Sequence, residues 1–323
     1  MPSPYLLPEG CVQIAFSGGR TSAYMLRQIL DANGGIPDRA VVTFQNTGRE
    51  MPQTLDFVQE VGERWGVPMV WLEYRPTAPW FEIVSHNSAS RDGEPFDALI
   101  DKKKYLPNQQ TRFCTIELKI RTAKRYLVSL GWKHWTNATG IRADEPHRLN
   151  KPNPKDRWTT WNPLAEAGVG RHHVTAFWEA QPFDLRLPNV GGNCWLGNCD
   201  GCFLKSEAHV AAFARDFPAR AAWWERMEAK IRQRWLNLSD FQRLRRLVAR
   251  DPDLPEQLRR AYPRPIPSSV IRSIVSGAKD YAQFSKRYSR AEMRDFMERQ
   301  GDNFDKLTQL GVLCQTDDGE CTA

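Results

Sequence analysis

No apolar run in this sequence approaches the roughly 20 residues needed to span a bilayer, and Met1 to Gly10 carries no basic segment followed by an apolar stretch. The first absence argues against a membrane partner, and the second against a secretory leader. Both fit a cytoplasmic chain. There is no internal repeat and no low-complexity tract, so solenoids and arrays are excluded. An even set of cysteines is also missing. The seven are Cys11, Cys114, Cys194, Cys199, Cys202, Cys314 and Cys321, and an odd number in a chain without a leader does not read as a disulfide framework.

Hydrophobic residues make up 41% of the 323 residues, enough for a sizeable core and too many for wholesale disorder. The formal net charge is +7, and it is uneven: Arg220 to Arg264 holds twelve Lys/Arg against six Asp/Glu. Such a stretch is either a solvated arginine-rich helical surface or a face that attracts phosphate-bearing partners, nucleic acid among them.

Val12 to Phe16 is a short apolar run that stops at Ser17-Gly18-Gly19, and Thr21 to Leu30 follows with helical character. This is the order strand, tight loop, helix. Ala40 to Phe44 and Pro68 to Leu72 read as buried strands. Between them Pro52 suits a first helical turn, with Leu55, Val58, Val61 and Trp65 at helical spacing. Glu117 to Leu130 reads as a helix and His134 to Thr139 as a fourth strand. Alternating strands and helices predict an α/β fold with a twisted, mainly parallel sheet covered on both faces. Tyr74 to Arg112 loses periodicity and reads as a long loop. From about Ala208 the chain turns helical, which suggests residues 1–207 as a nucleotide-binding domain and 208–323 as a basic, mainly helical region with a polar tail. Trp223, Trp224 and Trp235 at helical spacing read as core or interface before a base-stacking platform.

Gly18 and Gly19 reach backbone angles other residues avoid, so their N–H groups can converge on one anion. The helix start at Thr21 and Ser22 adds unpaired N–H donors and partial positive charge, and Arg20 adds a guanidinium. The alternative is a plain turn with a hydroxyl cap. Asn193 to Ser206 reads NCWLGNCDGCFLKS. Its C-x-x-C pair, with Cys194 and with Cys114 brought in by the fold, supplies four thiolates, which suit a [4Fe–4S] cluster or a structural zinc. In a zinc site His209 or His172 could replace one thiolate. A metal-free redox pair at Cys199 and Cys202 and inert buried thiols remain open. His172-His173, beside Arg171, reads as a pair of bases or a solvated patch.

Several segments together resemble one family. SGGRTS after the first strand resembles the PP-loop of the adenine nucleotide α-hydrolase superfamily. FQNTGREMPQTLDFV, RFCTIELKI, GIRADEPHR and WNPLAEAG follow in the order found in its PAPS reductase branch. The resemblance covers roughly residues 11 to 205 and implies a Rossmann-like sheet with an adenine nucleotide, ATP or PAPS, across its C-terminal strand ends. It implies phosphate contacts from Ser17, Gly18, Gly19, Thr21 and Ser22, nucleoside contacts near Asn46, Thr47 and Gly48, and an anion pocket lined by Lys119, Arg142 and Arg148. The loop's usual Asp is Thr21 here, which removes a carboxylate that could organise magnesium. The intact Ser-Gly-Gly favours a pyrophosphate-releasing, ATP-using enzyme that transfers sulfur, with nucleic acid as one acceptor. The alternatives are a sulfonucleotide reductase that releases sulfite, or a nucleotide- or nucleic-acid-binding protein without turnover. A sulfur-donor protein or a thioredoxin-like reductant would be the matching partner. Glu320-Cys321, with Cys314 upstream, lies where reductases carry a nucleophilic Cys, but without the family's fuller context.

Overall fold

The computed structural model describes residues 3–109, 111–149, 153–190 and 193–236, and beyond them 242, 246, 283–284 and 289–300. Six strands form one sheet: β1 (Val12–Phe16), β2 (Ala40–Asn46), β3 (Met69–Tyr74), β4 (Phe81–Val84), β5 (Trp135–Ala138) and β6 (Trp158–Trp161). Their spatial order is β4-β3-β2-β1-β5-β6. All neighbours are parallel except β3 and β4, which pair antiparallel with Trp71 opposite Val84.

Side-chain alternation divides the two faces. Val12, Ile14, Phe16, Val42 and Phe44 point to one side and bury against α1 (Arg20–Asn33) and α2 (Pro52–Trp65). On the other side Leu72 and Trp135 pack against α4 (Thr122–Ser129) through Ala123, Tyr126 and Leu127. This is the expected sheet with helices on both faces. Strands buried on both sides need continuous apolar runs, and that requirement made β1 and β2 legible.

The expected loop from Tyr74 to Arg112 contains two elements, β4 and α3 (Glu94–Lys103). β4 is an edge strand with half its side chains exposed, so it lacks a buried run. In α3 only Pro95, Phe96, Leu99 and Ile100 are buried, over too few turns for a clear period. The helix expected from Glu117 starts as a π-helical turn, Thr115–Arg121, that continues into α4. α5 (Pro163–Glu166) and α6 (Arg171–Glu179) follow β6, and a short hairpin pairs β7 (Asn189–Val190) with β8 (Asn193–Cys194).

α7 (Glu207–Asp216) and α8 (Pro218–Leu236) add Phe213, Trp223, Trp224 and Ile231 to the same core that holds β1. Trp223 and Trp224 are therefore core residues, in edge or tilted contact with Phe96. The side chain of Trp235, most of the basic stretch beyond Leu236, and Cys314 and Cys321 lie outside the described residues. None of the described helices is long and apolar enough to cross a membrane.

Candidate functional site

The chain runs outward from β1 to β2 and β3, then returns to place β5 on the other side of β1. The segments after β1 and β5 therefore diverge and leave a crevice at their carboxyl ends, where open α/β sheets bind ligands. Ser17-Gly18-Gly19 leaves β1 at this point and Thr139 to Arg142 leaves β5.

Gly18 has φ +79°, and a Cβ there would lie 2.7 Å from Thr54 Cγ2 of α2. Only glycine meets both conditions. Gly19 is the N-cap of α1 and provides no side-chain cap, so the first N–H groups of the helix remain available to an anion. The hydroxyls brace the loop from within. The Ser17 N–H donates to Ser22 Oγ at 3.2 Å, and Ser22 Oγ donates to the Gly19 carbonyl at 3.0 Å. Gly140 follows β5 closely enough that a Cβ would lie 3.3 Å from Ser22 Cα. The Thr139 hydroxyl donates to Asn162 Oδ1 at 2.5 Å, which ties the β5 end to the Asn-Pro-Leu turn.

Arg142 is buried and reaches the loop, donating through Nη1 to Thr21 Oγ1 at 3.4 Å. Its Nε donates to Asp144 Oδ1 at 2.8 Å. Burial works to raise the Asp144 pKa, but the Arg171 N–H and the Arg142 guanidinium outweigh it and hold the carboxyl below its ordinary range. Arg148 pairs with Glu145, whose other oxygen accepts the Arg142 N–H at 3.2 Å. Arg20 is engaged elsewhere: Asp184 takes its guanidinium in a two-point ion pair, and its carbonyl accepts from Trp178 Nε1 at 2.9 Å. Lys119 is buried in the π-helical turn, a feature frequent at functional sites.

The second-strand turn is wired internally. Asn46 Nδ2 donates to Glu73 Oε1 at 2.6 Å and to the Ser90 carbonyl at 2.8 Å, and Asn46 Oδ1 accepts from the Gly48 N–H at 3.1 Å. The Thr47 N–H donates to Glu50 Oε2 at 2.9 Å, and Thr47 Oγ1 lies 3.3 Å from Cys199 Sγ.

The cysteine segment docks on both turns. Cys199 bridges to Glu50 beside the second-strand turn. Cys194 and Asn198 line a cavity of about 40 Å³ together with Gly19, Thr21, Arg142 and Arg171, space for a few water-sized groups. Asp200, fully buried, anchors the segment. It accepts from Arg49 at 2.7 Å, Arg220 at 2.6 Å and Trp224 Nε1 at 2.8 Å. Burial lowers the Arg49 pKa against the pull of Asp200. Lys205 is buried too, donating to the carbonyls of Cys199 at 2.9 Å and Asp200 at 3.2 Å. Burial lowers its pKa, while Cys202, Asp200, Cys199 and Cys194 pull the other way.

Among the described residues no group of three or more His, Cys, Asp or Glu side chains is set to hold a metal ion. Cys114 precedes the π-helical turn, and Cys202, Cys199 and Cys194 act on the Lys205 ammonium through their charge. His209, expected as an alternative ligand, stacks on Trp195 at 5.9 Å, and burial, then Lys205, lowers its pKa. His173 Nδ1 accepts from the Gly170 N–H at 3.0 Å and caps α6, with His172 stacked on it.

Sequence reading missed Asp200, Arg49, Lys205 and Glu73 as parts of the site. Asp200 and Lys205 flank the thiols and Arg49 follows the Thr-Gly turn, but only the fold shows that they are buried together.

The model of the phosphoadenosine phosphosulfate reductase domain matches residues 12–168. The uncharacterized nin region protein ORF290 of Escherichia phage lambda is 34% identical over 213 residues, spanning 63% of this chain and 69% of that protein. Among solved structures, that of phosphoadenylyl-sulfate reductase from Candida auris in a phosphate complex matches at 20% identity and a TM-score of 0.38, covering 58% of this chain and 87% of that one. A strand-end phosphate loop, the ordered motifs around it and the matched domain lead to one conclusion: the chain belongs to the phosphoadenosine phosphosulfate reductase domain family of the PP-loop superfamily.

Proposed function

We propose that this protein is an enzyme of sulfur metabolism that grips an adenine nucleotide on the start of α1 and cleaves it at or next to the α-phosphate. The observation that carries the reading is the shared cavity that Cys194 lines together with Gly19, Thr21 and Arg142. A thiol beside an anion cup joins the two chemistries that the family combines.

In this reading Ser17, Gly18 and Gly19 and the first N–H groups of α1 hold the phosphates. Thr21 and Ser22 shape the loop. Arg142 supplies fixed positive charge where negative charge develops on the leaving group, a contribution typically worth ~10²–10³ in rate. Lys119 and Arg148 extend the positive side of the pocket. Asn46, Thr47 and Gly48 form a rigid wall beside the nucleoside, while Arg20 anchors the loop through Asp184.

Two chemistries are consistent with the site. The intact Ser-Gly-Gly supports ATP as substrate, with pyrophosphate as leaving group and an adenylated acceptor that then receives sulfur. The family match supports a sulfonucleotide substrate, whose reduction to sulfite takes two electrons. Two thiols supply these by closing to a disulfide, and the Cys199-x-x-Cys202 spacing suits that role. Neither route is drawn through iron or zinc. Pyrophosphate release from ATP, assayed beside sulfite release from PAPS and adenylyl sulfate, separates the two routes. A protein that releases neither product from any of the three under anaerobic, reduced conditions is not the enzyme proposed.

A further inference from the structure

α4 packs on β2, β3 and β4. Beside it, over β1, β5 and β6 on the same face of the sheet, runs a cleft of about 680 Å³, within the usual size of small-molecule sites. It reaches Trp135 and Trp158, the first residues of β5 and β6, whereas the phosphate loop lies at the opposite, carboxyl ends of the strands. The cleft also extends to Thr139 and Ile141 at the carboxyl end of β5, but it shares no lining residue with the cavity at Gly19, Thr21 and Arg142.

Its floor is polar where a sheet face in contact with a helix is ordinarily apolar. Gln13 on β1 is in register with Asn137 on β5, and both line the cleft. Asn137 is 8% exposed, yet its Oδ1 has no hydrogen-bond partner. Trp135 is 5% exposed, and its Nε1–H has none either. A buried polar group left unpaired lowers stability, and native proteins seldom keep one without a reason. Here an unused acceptor and an unused donor stand two residues apart on the same face of one strand. The wall above them is aromatic: Trp135 and Trp158 stack at 5.7 Å with 26° between their planes. Lys124 places its Nζ 5.9 Å from the Trp158 ring centre, and exposed Arg157 adds a second cation at the lining.

We propose that this cleft is a second binding site, for the base of a nucleotide. Both atoms are enclosed in this structure; on binding, Asn137 turns its Oδ1 toward an amine or ring N–H of the base, and Trp135 turns its Nε1–H toward a ring nitrogen or carbonyl beside it. The tryptophan pair offers a flat apolar wall, and Lys124 and Arg157 meet the phosphate. The unused donor and acceptor are what a planar heterocycle with adjacent N–H and acceptor groups would satisfy.

The test is calorimetric titration of the full chain with adenosine 5′-monophosphate. In an Arg142→Ala background, which weakens the phosphate-loop site, one equivalent of nucleotide is expected to bind. Adding Asn137→Leu is expected to weaken that binding at least tenfold while the melting temperature stays level or rises, because an unpaired polar group is replaced by an apolar one. Trp158→Leu, at a half-buried position, provides a second variant and is expected to weaken binding similarly. Repeating the titration with a short oligoadenylate identifies the source: tighter, Asn137-dependent binding points to a nucleic-acid strand, and equal binding to the free nucleotide. Absence of binding in the Arg142→Ala protein, or an affinity untouched by both cleft substitutions, overturns the proposal. Neither result bears on catalysis at the phosphate loop.

Discussion

Asp200 accepts from three buried or half-buried donors, and removing its charge strands Arg49, whose guanidinium is almost wholly enclosed. Breaking a buried ion pair from one side costs about 3–5 kcal/mol. Asp200→Asn is therefore expected to lose stability of that order in urea unfolding, and to loosen the Cys199–Cys202 segment with it. Gly18 is constrained differently. A methyl group there meets both an unfavourable positive φ and Thr54 at 2.7 Å, so Gly18→Ala is expected to cost about 1–3 kcal/mol and to weaken nucleotide binding in the same titration. Arg142→Lys keeps the charge but loses the planar fork that reaches Thr21 and Asp144 together. Product release is expected to fall by roughly tenfold or more, in whichever of the pyrophosphate or sulfite assays the wild type registers.

At the scale of elements, α1 combines an open N-terminus with an anchored first residue. Arg20 reads in sequence as another phosphate donor, yet its guanidinium is held by Asp184 from the segment after α6. A double-mutant cycle on Arg20→Ala and Asp184→Ala is expected to show coupling below about 1 kcal/mol, as for other partly exposed pairs, with little change in nucleotide affinity. A large loss of affinity in Arg20→Ala alone would return that side chain to the phosphate site. The π-helical turn at Thr115–Arg121 was invisible in sequence for a related reason. Its residues have ordinary helical propensity, and the turn packs against α3, β2 and β3, contacts that no local pattern announces. Likewise β4 and α3 bury too little surface to leave a periodic pattern, whereas β1, β2, α1 and α2 stand out because each buries a full face.

For the whole molecule, the C-terminal helices are part of the same core, and their attachment is expected to depend on pH. Glu228 on α8 accepts the N–H of Phe284 at 3.1 Å and of Arg290 at 2.7 Å. Burial raises its pKa, against the opposing charge of Arg290. A raised folded-state pKa contributes stability that is complete below the ordinary glutamate value and is lost as pH climbs through the raised value. Glu228→Gln is expected to flatten that part of the stability profile, measured by thermal melts from mildly acidic to neutral pH. The sequence by itself determined the α/β class, the strand–loop–helix junction at Ser17 to Ser22 and the family, because these rest on local rules: apolar runs, glycine angles and motif order. Only the tertiary structure decided that Cys194 lies beside Gly19, that Asp200 joins Arg49 to Arg220, and that Asn137 faces an open cleft. Those contacts join residues up to about 175 positions apart in the chain, and proximity of that kind is set by how the sheet orders its strands, which no short stretch of sequence encodes.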